Sequence, residues 1–333
     1  ANVLSRVLAR LQPTPSPDVL LGLQAGDDAA VLRLPPGQAL VQSVDFFRAF
    51  IDDPYVFGRI AANHALGDVF AMGGRTHSAL ALATVPPGLE SRTEDLLLQM
   101  MSGALAVLAA ADCALIGGHT GEGRELALGF SVNGLIPQDL QGLMRKDGLK
   151  AGDSLILSKP MGTGTLLVAH QRLRARGRWI DAALQTMMQS SQQAAQILQA
   201  HGARACTDLT GFGLLGHLLE MSRPSGVDLR LQLSALPLLD GAVQSAAAGH
   251  LSSLHEANAQ AASALQPSTA CENHPHLPLL FDPQTAGGLL AGVPAEQTDA
   301  CLTALHAAGY TEACVIGQVL PRSAAPQPVQ LLA

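Results

Sequence analysis

Apolar and polar positions change their period several times along the chain, and each change marks an expected element. Val3, Leu4, Val7, Leu8 and Leu11 recur at helical spacing and stop at Pro13, which predicts a short amphipathic helix. Residues 30–34 and 39–44 read as strands separated by the turn Pro35-Pro36-Gly37. Asp53 is placed to cap a helix whose first residue is Pro54, and Gly73-Gly74 is placed to end it. Residues 54–72 are therefore predicted helical, with His64 and Asp68 on one face. A strand over 78–85 and a second Pro-Pro-Gly turn follow, then a helix opening on the capping box Ser91-x-x-Glu94 and running to about Ala111. Residues 114–116 then feed a glycine loop, Gly117-Gly118-His119-Thr120-Gly121, and residues 126–136 alternate as a half-buried strand does.

A polar, glycine-bearing stretch over 143–153 predicts a border between an N-terminal domain, 1–150, and a C-terminal domain, 151–333. The second half offers a strand at 154–158, a loop at 160–164, a Gln-rich helix over about 180–200 and a short strand at 204–207. Strands at 228–233, 288–293 and 313–320 come later, with a helix over about 295–308. The Ala- and Ser-rich stretch 243–275 has weak periodicity and is expected to be a variable, partly exposed region. Both halves mix strands and helices, so the fold class is α/β (α+β).

Composition fits this picture: 333 residues with 48% hydrophobic and 14% charged content supply cores for two domains. A net charge of -7, with basic clusters read as missing locally, argues against nucleic-acid or anionic-membrane partners, because both reward clustered Lys and Arg. Five scattered cysteines without a CxxC suggest neither a disulfide framework nor a thiolate zinc site, and point to reduced thiols in the cytoplasm. The longest apolar stretches, such as 104–111, are too short to span a bilayer, and no basic-then-apolar leader opens the chain, so no membrane association is expected.

Candidate chemistry centres on Asp28, Asp45, Asp68 and Asp208, each at the end of an expected element. Mg²⁺ takes oxygen ligands, usually a few carboxylates plus substrate phosphates, so these aspartates beside glycine loops suit a metal-nucleotide site. Any one of them, alone, is more often a helix cap or turn former. The Gly117–Gly121 loop either lets backbone N–H groups approach phosphate or is a plain turn. No GxxxxGK[ST] motif is present. Gly211-Phe212-Gly213-Leu214-Leu215-Gly216 matches the dinucleotide fingerprint GxGxxG, but the strand before it is short and polar, and Asp208 would repel a pyrophosphate unless a cation intervened. Lys159, beside Gly162-x-Gly164, could touch phosphate, although a lysine at a strand end is more often solvated. The eleven histidines, His64 and His119 among them, show no HxxxH or HExxH spacing, so no zinc site is predicted.

Several segments, in order, resemble one family: Gly26-Asp27-Asp28-Ala29-Ala30-Val31, Asp45-Phe46-Phe47, the stretch Phe57-Gly58-Arg59 through Asp68 to Gly73-Gly74, and Gly117-Gly118-His119-Thr120. Lys159-Pro160-x-Gly162-Thr163-Gly164, Thr207-Asp208-Leu209-Thr210-Gly211 through His217, and Asp282-Pro283-Gln284-Thr285-Ala286-Gly287-Gly288 complete the set. Together they resemble the selenophosphate synthetases over nearly the whole chain, the last two being the most specific. The Gly-Asp-Asp-Ala-Ala element is shared with aminoimidazole ribonucleotide synthetase, thiamine-phosphate kinase and a hydrogenase maturation factor.

That resemblance implies an aminoimidazole ribonucleotide synthetase-like architecture, an N-terminal domain that pairs with a second copy into a dimeric β-barrel, a C-terminal α/β domain, and a homodimer. It implies Mg²⁺ ligands at Asp28, Asp45, Asp68 and Asp208, and nucleotide contacts at Gly26, Asp27, Asp45, Asp68 and Thr120, with Gly117, Gly118 and His119 contributed by the partner subunit. The implied reaction takes ATP, a reduced selenium donor and water to selenophosphate, AMP and orthophosphate. The family's catalytic Cys and Lys lie in a glycine-rich segment just before the helix that starts here at Asn2. None of the five cysteines matches that Cys, so both residues are expected upstream of Ala1 and this chain alone is expected to be impaired. A sister-family kinase or synthetase, an inactive ATP-binding relative and, remotely, a dehydrogenase stand as alternatives.

Overall fold

The computed structural model describes residues 10, 12, 15–21, 31, 32 and 34–333; apart from Arg10, the helix expected over 3–11 lies outside them, as do Gly26, Asp27 and Asp28. The described residues form two compact units. One comprises residues up to Phe70, Gly74–Gly142 and Met188–Ser190, and the other Ala71–Gly73, Leu143–Met187 and Ser191–Ala333.

In the first unit, β1 (Val19–Leu21) and β2 (Val31–Leu32) pair antiparallel. A four-stranded sheet then carries β3 (Gln38–Arg48), β4 (Arg75–Val85), β5 (Ala114–Glu122) and β6 (Ala127–Pro137) in the order β3-β6-β4-β5, with only β4 and β5 parallel. Helices α1 (Pro54–Ala71) and α2 (Glu90–Ala110) accompany it. Helix α1 starts as its sequence dictates: the Asp53 carboxylate accepts from the Val56 amide at 3.0 Å and Pro54 opens the first turn. Gly73 supplies the left-handed residue after its end, with φ +75°. Where α1 crosses α2, a Cβ on Gly58 would stand 1.9 Å from the Met100 carbonyl, and one on Gly103 would stand 2.0 Å from that of Tyr55. Glycine is what allows the two backbones to touch.

Two expectations fail here. The Ser91-x-x-Glu94 capping box does not form: α2 begins at Glu90, and the Leu89 carbonyl accepts from Arg92 and Thr93, so Ser91 is already inside the helix. The Gly117–Gly121 segment is not a loop but part of β5, because its glycines admit close parallel pairing with β4; a Cβ on Gly118 would lie 2.2 Å from the Ala81 carbonyl. Helix α2 is long and apolar enough to cross a membrane by length and composition alone, unlike the short stretches weighed from the sequence. It buries Leu97, Met100, Met101, Ala104 and Leu108.

The second unit is built on a six-stranded sheet in the order β12-β9-β11-β7-β10-β8, comprising β7 (Ser154–Leu157), β8 (Ala205–Asp208), β9 (Val227–Gln232), β10 (Leu289–Val293), β11 (Cys314–Pro321) and β12 (Val329–Leu332). Its core contains Leu155, Leu157, Leu214, Leu218, Leu229, Leu231 and Ile316. The expected Gln-rich helix is two helices, α4 (Gly177–Met188) and α5 (Gln192–Ala200). Before them stands α3 (Thr163–Gln171), which periodicity does not reveal because it is apolar on most of its circumference and largely buried. Helix α6 (Gly213–Ser225) follows β8, and the region expected to be variable holds α7 (Ala242–Ala247) and α8 (His255–Ala259). Helix α9 (Thr298–Ala307) precedes β11. Strands β7 and β8 both run antiparallel to β10, which lies between them, so they point the same way and their C-terminal ends lie at one end of the sheet. Asp208 and the buried Lys159 lie at that end.

Candidate functional site

In the first unit, the period-two rule puts Ser43, Asp45 and Phe47 on one face of β3. That face meets α1: the Ser43 hydroxyl donates to the Asp68 carboxylate at 2.5 Å, and the Phe47 ring centroid lies 5.0 Å from that of His64. His64 and Asp68 do share a face, one turn apart. Asp45 does not end a strand, since β3 continues to Arg48, and Asp68 lies in the last turn of α1; both nonetheless converge. Burial, and then the neighbouring Asp68 carboxylate, raise Asp45 from its ordinary 3.8 to about 6. Two half-buried carboxylates crowded in this way match the donor chemistry of a hard divalent cation, whose charge relieves their repulsion. Among the described residues no cluster of three or more His, Cys, Asp or Glu side chains occurs, and Asp28 lies outside them. Gly117, Gly118, His119 and Thr120 lie on β5, where Gly117 pairs with Leu80 and His119 with Leu82; Gly118 and His119 are exposed.

In the second unit, Asp208 ends β8 opposite Leu289. The loop behind it is held from three sides. Leu209 N–H donates to the Gly288 carbonyl (2.8 Å), Gln284 N–H donates to that of Thr210 (2.9 Å), and Thr210 N–H donates to His217 Nε2 (3.1 Å). Because Nε2 accepts from a backbone donor, neutral His217 carries its proton on Nδ1, which faces Glu220 Oε2 at 3.4 Å. Gln284 Oε1 accepts from the Gly162 and Thr163 amides, tying the start of α3 to the same loop.

Lys159 is the residue that the sequence reading misjudged. It is not solvated but fully buried, and its Nζ donates to the carbonyls of Ala286 (2.9 Å) and Thr186 (3.3 Å). Burial lowers its pKa from 10.5 to about 7 against the opposing pull of Asp208. The only sequence signal for this was a lysine directly after a short apolar strand and before Pro160. Of the fingerprint glycines, Gly213 serves packing: at φ +69°, a Cβ there would come within 3.0 Å of the Leu280 carbonyl, whereas one on Gly211 would meet nothing within 4 Å. Protein backbone occupies the space that a dinucleotide site leaves for pyrophosphate.

The two-unit mixed α/β architecture with carboxylates on its strands and helix ends defines a class. Residues 26–136 match the model of the AIR synthase related protein N-terminal domain, and residues 150–325 that of the C-terminal domain. Thiamine-monophosphate kinase from Stenotrophomonas maltophilia has the same fold, with a TM-score of 0.70 at 22% identity, covering 99% of this chain and 94% of that one. A hydrogenase maturation protein in complex with ATP superposes with a TM-score of 0.71 at 18% identity, covering 95% and 83%. Among curated proteins, the selenide, water dikinase of Nitratidesulfovibrio vulgaris (Miyazaki F) is 38% identical over 332 residues, 95% of this chain and 90% of its own length. That of Geobacter metallireducens is 40% identical over 309 residues, 92% and 87%. The chain belongs to the selenide, water dikinase family of AIR synthase related proteins.

Proposed function

We propose that this chain is an ATP-cleaving phosphotransferase that makes selenophosphate from ATP, selenide and water, releasing AMP and orthophosphate. Membership in the family supports the reaction, and the crowded Asp45–Asp68 pair supports the site. In this reading Asp28, Asp45, Asp68 and Asp208 hold Mg²⁺, and Gly26 and Asp27 contact the nucleotide. Bound Mg²⁺ supplies neutralisation of the triphosphate charge. The chain's own part is positioning: Ser43 fixes the Asp68 carboxylate, and the His217 and Gln284 contacts fix the loop behind Asp208. Residues 1–150 form the ATP-binding and dimerisation domain and residues 151–333 the C-terminal α/β domain.

The functional unit is a homodimer in which the partner subunit supplies Gly117, Gly118 and His119 to each nucleotide site, with Thr120 a further nucleotide contact. Its support is the open face of the four-stranded sheet, where Leu40, Val44, Phe46 and Leu80 are exposed side by side. The enzyme works in the cytoplasm, in keeping with five free cysteines, four of them buried. The deciding experiment incubates the protein with ATP, Mg²⁺ and selenide under anaerobic conditions, following nucleotides by chromatography and selenophosphate by ³¹P NMR. Selenide-dependent AMP supports the proposal; ADP formed only with thiamine phosphate overturns it in favour of a sister-family kinase.

A further inference from the structure

The turn between α3 and α4, together with the first turn of α4, carries a charge cluster that the composition concealed. Arg172, Arg174, Arg176 and Arg178 stand at alternate positions with no acidic residue among them, in a chain of net charge -7. All four are exposed, and among the described residues none takes part in an ion pair. Two are held in place. Arg172 donates to the Gly249 carbonyl at 3.3 Å, and the Arg176 guanidinium stacks 5.0 Å from the centroid of the Trp179 ring.

Leu173 supplies an independent observation. It sits in the left-handed region at φ +57°, closing the end of α3 through Leu173 N–H to His170 O and Arg174 N–H to Ala169 O, both 2.8 Å. Glycine is the usual residue there, and a side chain costs about 1–2 kcal/mol. The leucine is nonetheless 90% exposed, so within the isolated chain it gains no burial in return.

We propose that the Arg172–Arg178 turn is a docking surface for an acidic segment of a partner protein, with Leu173 as its apolar anchor and the arginines as its charged rim. An aliphatic anchor ringed by arginines is the anatomy of a protein contact. Single-stranded RNA would be held by an open aromatic face. Trp179, in the first turn of α4, has one face under Arg176 and packs so tightly on Gly241 that a Cβ there would lie 2.2 Å from the ring. An extended polyanion, RNA or an anionic bilayer, would also meet the chain's net negative field, whereas a short acidic segment senses charges within about 8 Å.

The test titrates the full chain into a fluorescein-labelled peptide of alternating glutamate and leucine, read by anisotropy. A polyglutamate peptide, a uridine RNA of about 20 nucleotides and phosphatidylserine vesicles serve as parallel arms. Saturable binding of the Glu-Leu peptide is expected, weakened roughly tenfold or more in the R172E/R174E/R176E/R178E variant, whose fold is checked by circular dichroism. Leu173→Gly should raise the Tm by relieving the backbone while weakening peptide binding several-fold, a pairing that a merely structural leucine would not give. No peptide binding, binding that survives charge reversal, or preference for RNA or vesicles overturns the docking surface. Equal affinity for polyglutamate, or undiminished binding by Leu173→Gly, overturns the anchor.

Discussion

At the scale of single residues, two of the perturbed groups, Asp45 and Lys159, titrate in opposite senses. Asp45 has its folded pKa raised to about 6, so between pH 3.8 and 6 the folded chain keeps a proton that the unfolded chain releases. This contribution to stability is complete below 3.8 and is lost as pH rises through about 6. Asp68→Asn removes the carboxylate repulsion but not the burial, so the Asp45 midpoint should fall only part of the way, as followed by carboxyl ¹³C NMR. The same variant should bind Mg-ATP more weakly by calorimetry, and unchanged affinity would place the metal elsewhere. Lys159 behaves conversely: with its folded pKa near 7 against 10.5 unfolded, the folded chain holds fewer protons in that window and stability rises with pH across it. The slope approaches about 1.4 kcal/mol per pH unit, and Lys159→Met should flatten it in urea melts run between pH 7 and 10. An unaltered slope would mean that Lys159 keeps its proton in the folded chain across this window, so that burial does not lower its pKa. Asp45 and Asp68 could be singled out in the sequence because carboxylates near glycine-bearing turns suggest cation chemistry, and the structure brings these two together. Lys159 could not, because its role comes from burial and from the carbonyls of Ala286 and Thr186, which lie far along the chain.

At the scale of elements, legibility followed local signals. Helix α1 could be read at both ends because Asp53, Pro54 and Gly73 each act within a few residues. The glycine run at 117–121 could not, since glycine marks a turn in one context and a close backbone approach in another, and only the partner strand decides between them. The division of the Gln-rich segment into α4 and α5 was hidden by a composition that favours helix throughout, while residues 188–190 belong with the first unit, where Asn63 donates to the Gln189 carbonyl at 2.8 Å. The arginine turn escaped notice because it spreads its charges over alternate positions. The α1–α2 crossing gives this scale its prediction. Gly58→Ala and Gly103→Ala each insert a methyl where a carbonyl stands within 2.0 Å, so each should destabilise by roughly 1–3 kcal/mol in urea. Both push the same pair of backbones apart, so the double variant should lose less than the sum of the two. Strict additivity would mean that the helices adjust independently at the two glycines.

At the scale of the whole molecule, the first unit leaves one sheet face unfinished. Strand β3 is an eleven-residue edge whose even-numbered positions, Leu40, Val44 and Phe46, are about half exposed, with Leu80 beside them across β6. A long edge next to an apolar face invites pairing, and a second copy of the same sheet is self-complementary by symmetry. Val44→Asp with Phe46→Glu should therefore convert a dimer into a monomer in sedimentation velocity at micromolar concentration, while circular dichroism stays unchanged. The assembly also makes the proposed contribution of the partner subunit testable without destroying it. His119→Ala and Asp68→Asn should each lower activity when both subunits carry the change. Mixing the two by dissociation and reassociation gives heterodimers in which one site receives both damaged residues and the other receives neither. With half of the dimers mixed and one of their two sites intact, recovery to about a quarter of the unsubstituted activity is expected. Were His119 to serve its own subunit's site, every site in the mixed dimer would carry one substitution, and heterodimers confirmed by native mass spectrometry would regain nothing.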